Sequence, residues 1–206
     1  MTNKTAFITR CWKKPPEFWR ACLAQTLMAV LVWGSAPAEV RAETVIIKSA
    51  KLDATEEGYQ LDADFEFQLN AAMQEAVRKG VPLYFVVEFE LTRGRWYWLD
   101  QKVAQEARDR RLSYAPLTEQ YRISVSGVSQ NVSTFEEVRR ILSRVRSWTV
   151  VDKGKLKPGE RYEAALRFRL DNAQLPKPFQ LSVMTSKEWS LTSDWYRWSF
   201  VAGAEK

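Results

Sequence analysis

One stretch of this chain alternates apolar and polar residues so strictly that it can only be a strand with one face buried, and a second reads as a strong strand beside it. In Tyr59–Leu69, Leu61, Ala63, Phe65, Phe67 and Leu69 alternate with Gln60, Asp62, Asp64, Glu66 and Gln68. In Leu83–Thr92, Leu83, Phe85, Val87, Phe89 and Leu91 point one way while Glu88 and Glu90 point the other. Successive side chains of a strand leave on opposite faces, so a period of two over this length excludes a helix and calls for a sheet covered on one side only. Such a sheet must bury its apolar face against another layer.

The remaining segments follow from that frame. Val45–Leu52 reads as a first strand. Asn70 can cap a helix over Ala71–Lys79, with Ala72, Met73, Ala76 and Val77 as its apolar face, Gly80 as its stop and Pro82 beyond. Trp96–Ala104 and Arg110–Tyr114 read as two further strands with charged residues between them, and Tyr121–Ser126 as another. Ser133 with Glu136 forms a capping-box pattern opening a second helix, along which Phe135, Val138, Ile141, Leu142 and Val145 recur at helical spacing. Short strands are expected at Thr149–Val151, Tyr162–Leu170, Gln180–Thr185 and Trp195–Val201. Leu156-x-Pro158-Gly159-x-x-Tyr162 looks like the tyrosine corner of fibronectin-like sandwiches. The expected fold is therefore mainly β: an antiparallel β-sandwich, immunoglobulin- or fibronectin-like in general architecture, of about eight strands with two short inserted α-helices.

The N-terminus has a different character. Lys4, Arg10, Lys13, Lys14 and Arg20 precede an apolar run, Ala21–Trp33, which is followed by small residues and then Val40-Arg41-Ala42. A basic region, a short apolar region and a small-x-small site form the secretory pattern. The reading is a signal peptide over 1–42 cleaved after Ala42, and one exported β-rich domain over 43–206, with a periplasmic location. Cleavage after Ala38 and retention as a membrane anchor are the alternatives, although the run is short of the roughly 20 apolar residues of a spanning helix. Cys22 stands at the start of the apolar run, where a lipid-modified cysteine does not belong.

Removing the leader changes the chemistry available. Six of the 31 basic and two of the 25 acidic residues lie in it, so 25 Lys/Arg stand against 23 Asp/Glu after Ala42, a net of +2 where the whole chain has +6. That balance argues against a nucleic-acid partner. Both cysteines, Cys11 and Cys22, also lie in the leader, which leaves the exported domain without a disulfide or a thiolate metal site. The chain has no histidine, which removes Ser-His-Asp and Cys-His nucleophile activation and His-ligated zinc. A non-enzymatic protein without cofactor or metal is expected.

Several residue groups are candidates for function. Trp96 and Trp98 share one strand face, and with Trp195 and Trp198 they would supply flat aromatic surface for a partner protein or a sugar ring; plugs in the core are the simpler role. Asp62, Asp64 and Glu66 form an acidic stripe that could hold a hard cation or pair with a basic stripe of Arg161, Arg167 and Arg169 on a neighbouring strand. Glu88, Glu90 and Asp100 would serve a glycan-acting enzyme only if carboxylates faced each other across a cleft; for Glu88 and Glu90 an exposed strand face is expected. Two basic runs, Arg108/Arg110/Arg111 and Arg139/Arg140/Arg144/Arg146, could touch anionic headgroups or an acidic partner, a solvated face being their usual role.

Leu170-Asp171-Asn172-Ala173-Gln174-Leu175-Pro176-Lys177-Pro178-Phe179-Gln180, the pattern Trp189-x5-Trp195-x2-Trp198, the Gly80-Val-Pro-Leu-Tyr-Phe segment and Trp96-Tyr-Trp-Leu-Asp100 together resemble a family of exported bacterial proteins, domain of unknown function 4390. The resemblance covers essentially all of the chain after the leader. It implies a Gram-negative envelope protein with no assigned catalytic residue. It also implies a partner, because members are often encoded beside a membrane sensor kinase. The partner expected is thus an envelope or inner-membrane protein, a sensor kinase among the candidates. A carbohydrate- or envelope-binding module using the Trp faces is the alternative, and the sequence leaves the oligomeric state open.

Overall fold

The computed structural model describes residues 45–94, 101–177, 179–180 and 189–203. The chain divides into two compact units, Met1–Val40 and Arg41–Lys206, and everything below concerns the second. The leader, Trp96, Trp98 and Asp100 lie outside the described residues.

Nine strands and two α-helices are described. In chain order they are β1 (Ile46–Ala54), β2 (Gly58–Glu66), α1 (Ala71–Arg78), β3 (Leu83–Arg93), β4 (Gln101–Ala115), β5 (Gln120–Val125), β6 (Val128–Val132), α2 (Phe135–Leu142), β7 (Arg144–Asp152), β8 (Arg161–Leu170) and β9 (Tyr196–Val201). They form two antiparallel sheets, β1-β2-β7 and β6-β5-β4-β3-β8-β9. The mainly β, sandwich-like architecture is the one the alternation demands.

The apolar faces meet through aromatic rings. Phe65 and Phe67 reach from the end of β2 to Phe168 of β8, with ring centroids 5.2 and 5.3 Å apart, and Phe85 of β3 stacks on Phe168 at 5.6 Å. All four rings are buried. Each contributes about 1.5–3 kcal/mol through burial, and each ring pair about 0.5–1.5 kcal/mol beyond it.

The tyrosine corner forms as its motif implies. The Lys157 N–H donates to the Tyr162 hydroxyl at 3.0 Å, which fixes the Pro158-Gly159 turn where β8 begins. The same turn is tied to the end of β9, since Gly159 N–H donates to Ala202 O at 2.8 Å.

The structure corrects the sequence reading in several places. The two strands expected at Trp96–Ala104 and Arg110–Tyr114 are, over the described residues, one 15-residue strand, β4. Its charged middle is held by backbone pairing to β3 from Gln105 to Asp109; alternation fails there because β4 is mostly solvated on both faces. β6, of sequence VSQNV, has no signature in the sequence, because it is an exposed strand at the sheet's end with no buried face to impose a pattern. The second helix stops at Leu142, and Val145 belongs to β7, buried from a strand. Its cap is Thr134, not Ser133. Thr134 Oγ1 accepts from Glu137 N–H at 3.2 Å, and Glu137 Oε2 accepts from Thr134 N–H at 3.3 Å. The run Ser133-Thr134-Phe135-Glu136-Glu137 contains the box in two overlapping registers, and the pattern alone does not choose between them. The expected strand Gln180–Thr185 lies outside the described residues except for Gln180, which sits in a helical turn.

Candidate functional site

The acidic and basic stripes do not pair with each other, because β2 and β8 belong to different sheets. Each finds a partner within its own sheet. Asp64 accepts from Arg146 Nη2 at 2.6 Å and from Ser49 Oγ at 3.2 Å; the Arg146 hydrogen bond, opposed by burial, holds its carboxyl below the ordinary range. Asp62 accepts from the Ser147 N–H at 2.8 Å, and Glu66 pairs with Lys48. Every member of the stripe is thus engaged by protein groups.

On β8, Arg167 and Arg169 converge on Glu88, which stands opposite Arg167 on β3. Arg167 Nε donates to Glu88 Oε2 at 2.8 Å, and Arg169 Nε donates to Oε1 at 2.9 Å. The Glu88 side chain is 19% exposed, which corrects the expectation of an open strand face. Burial works against its charge, but the hydrogen bonds from Arg167 and Arg169, with their charge added, outweigh it and hold the carboxyl below the ordinary range. A carboxylate committed to two guanidinium groups is a poor proton donor and a poor nucleophile.

Of the four tryptophans, Trp195 and Trp198 are described, and they take different sides of the sheet. Trp195 lies over the Arg167 guanidinium, 4.5 Å from ring centroid to Cζ, on the face that carries Glu88. Trp198, on β9 opposite Ala164, packs toward Phe89 at 6.4 Å and Tyr196 at 5.7 Å. Glu88 and Phe89 are consecutive on a strand and therefore face opposite ways. Trp195 and Trp198 do not form one platform.

Both lead to one strand, β9: Trp195 immediately precedes it and Trp198 lies on it. It ends the six-stranded sheet among the described strands. Proteins usually blunt such edges with charge, bulges or short polar strands, and the other sheet ends do so. β1 carries Lys48 and Lys51 and a register shift between Ile47 and Ser49. β7 carries Arg144 and Arg146, and Ser147 has φ 48°. β6 is short and polar. β9, Tyr-Arg-Trp-Ser-Phe-Val, pairs with β8 over six consecutive residues without a shift, and Tyr196 and Val201 are exposed. The sequence points at Trp195 and Trp198; the strand order that makes β9 an edge is not legible in it.

The basic run of β4 separates into three environments. Arg110 is buried and donates to Leu142 O at 2.7 Å and Arg144 O at 2.8 Å. Burial, and then the charge of Arg108, push its pKa down to about 10. Arg108 lies over the Trp148 ring at 4.8 Å, and Arg111 over Tyr84 at 5.7 Å. These stacked pairs had no signal in the sequence, because they depend on which strands lie side by side.

The fold is that of a two-sheet β protein whose six-stranded sheet ends, among the described strands, in the aromatic β9. Within that class the chain belongs to the family described as Domain of unknown function (DUF4390), whose model matches residues 42–199. No curated protein and no solved structure matches it.

Proposed function

We propose that this chain is an exported, non-enzymatic interaction module that binds an extended segment of an envelope protein by strand addition along β9. The observation that carries this reading is the edge itself: a regular, aromatic six-residue strand in unshifted register, with one charged residue, Arg197, and no bulge. A strand added there would gain main-chain hydrogen bonds, with the exposed Tyr196 and Val201 offering side-chain contacts at its two ends. The leader-like N-terminus supports a periplasmic setting, and an inner-membrane protein, a sensor kinase among the candidates, is the kind of partner proposed. A sugar-binding platform finds less support, since Trp195 is occupied by Arg167 and Trp198 by Phe89.

Site-specific photo-crosslinking in intact cells tests the reading. A crosslinker at Arg197 or Ser199 is expected to capture the same envelope protein, and one at Asn131 on β6 is expected not to. Equal capture from all three sites, or none from β9, would overturn it.

A further inference from the structure

Away from β9, a cavity of about 500 Å³ opens where the β5–β6 hairpin leaves β4. Tyr84, Arg108, Asp109, Arg111, Ser126 and Trp148 contribute to its lining. Its size falls within the range of small-molecule sites, roughly 300–1,000 Å³. Its two arginines differ from half of the others described. Arg93, Arg139, Arg144, Arg146, Arg167 and Arg169 each meet a carboxylate, whereas Arg108 and Arg111 are in no ion pair among the described residues. Each is instead laid over an aromatic ring. That contact fixes the plane of the guanidinium and leaves its in-plane N–H groups to donate. Arg108 is also partly withdrawn from water, and the loss of hydration lowers its pKa with no acid to offset it.

We propose that this cavity binds a phosphate group, free or carried by a small phosphomonoester. The register selects phosphate over carboxylate. Arg108 stands opposite the buried Val87, and Arg111 opposite the half-buried Tyr84, so the two leave β4 on opposite faces and reach the cavity from different directions. A planar carboxylate offers its acceptors in one plane, whereas tetrahedral phosphate offers them around the whole group, which suits donors set on two sides of one cavity. The Ser126 hydroxyl is a further donor. Asp109 lines the same space and opposes an anion, which gives the site a built-in control.

Titration of the full chain by ¹⁵N-resolved NMR, with inorganic phosphate and with glycerol phosphate in separate arms, tests the proposal. Saturable shifts are expected at the Ser126 and Gly127 amides and the Trp148 indole N–H. Arg111→Gln, at an exposed position, is expected to keep the fold and weaken binding about tenfold, the worth of one charge-assisted hydrogen bond. Asp109→Asn is expected to tighten binding. Arg108→Lys, which keeps the charge and loses the stacking, is expected to weaken it. Saturation in the inorganic arm assigns free phosphate as a ligand; saturation with glycerol phosphate alone assigns the ester. Absence of saturation in both arms, or an unchanged affinity in Arg111→Gln, would overturn the site.

Discussion

The guanidinium of Arg110, in the middle of β4, donates to the carbonyl oxygen of Leu142, the last residue of α2, at 2.7 Å. A second nitrogen donates to Arg144 O at 2.8 Å. One buried cation of the six-stranded sheet thus satisfies the end of a helix and the start of β7 in the other sheet. Helix ends leave carbonyls without partners, and a positive charge there is favoured by the helix dipole. Arg110→Met fills similar space but strands those carbonyls, and it is expected to cost about 2–3 kcal/mol, read by urea denaturation.

The cap of α2 discriminates two registers that the sequence offers equally. Thr134→Ala removes the acceptor for Glu137 N–H and is expected to cost about 1 kcal/mol. Ser133→Ala is expected to be near neutral. Equal effects in thermal melts would contradict the assignment.

Glu88 gives the protein a pH dependence of known sign. Its carboxyl is held below the ordinary range in the folded chain, so the unfolded chain binds the proton more readily. The stabilisation is full above the unfolded carboxylate range and is lost as pH falls through the folded value. Glu88→Gln is expected to cost about 1–2 kcal/mol at pH 7 and to flatten the fall in melting temperature on acidification. A variant with an unchanged acid limb would contradict this.

Gly58 opens β2 at φ +144°, where an added Cβ would lie 2.1 Å from the Val151 carbonyl oxygen. Gly58→Ala must therefore push β2 from β7, and a loss of about 2 kcal/mol or more is expected. Wild-type stability in this variant would contradict the close approach.

These particulars show where sequence carried the fold and where it stopped. Phe65, Phe85 and Phe168 were readable as inward-facing because a buried face imposes its period on the strand. Tyr162 was readable because its turn has a motif. β6 and the middle of β4 were not, since strands wet on both faces have no period to read. The partners of Glu88, Arg108 and Arg111 were not readable either: each is set by the lateral order of strands, which alternation along one strand does not encode. Trp195 and Trp198 stand out by residue type alone, and only strand order shows that Trp198 lies on an edge strand.

The central claim is that β9 receives a strand. Hydrogen exchange followed by mass spectrometry, with and without the envelope protein captured at Arg197 or Ser199, measures this most directly. Strand addition predicts slowed exchange in Tyr196–Val201 on complex formation, with Val128–Val132 on the opposite edge unchanged. Unchanged exchange in Tyr196–Val201 in a saturated complex would contradict the account.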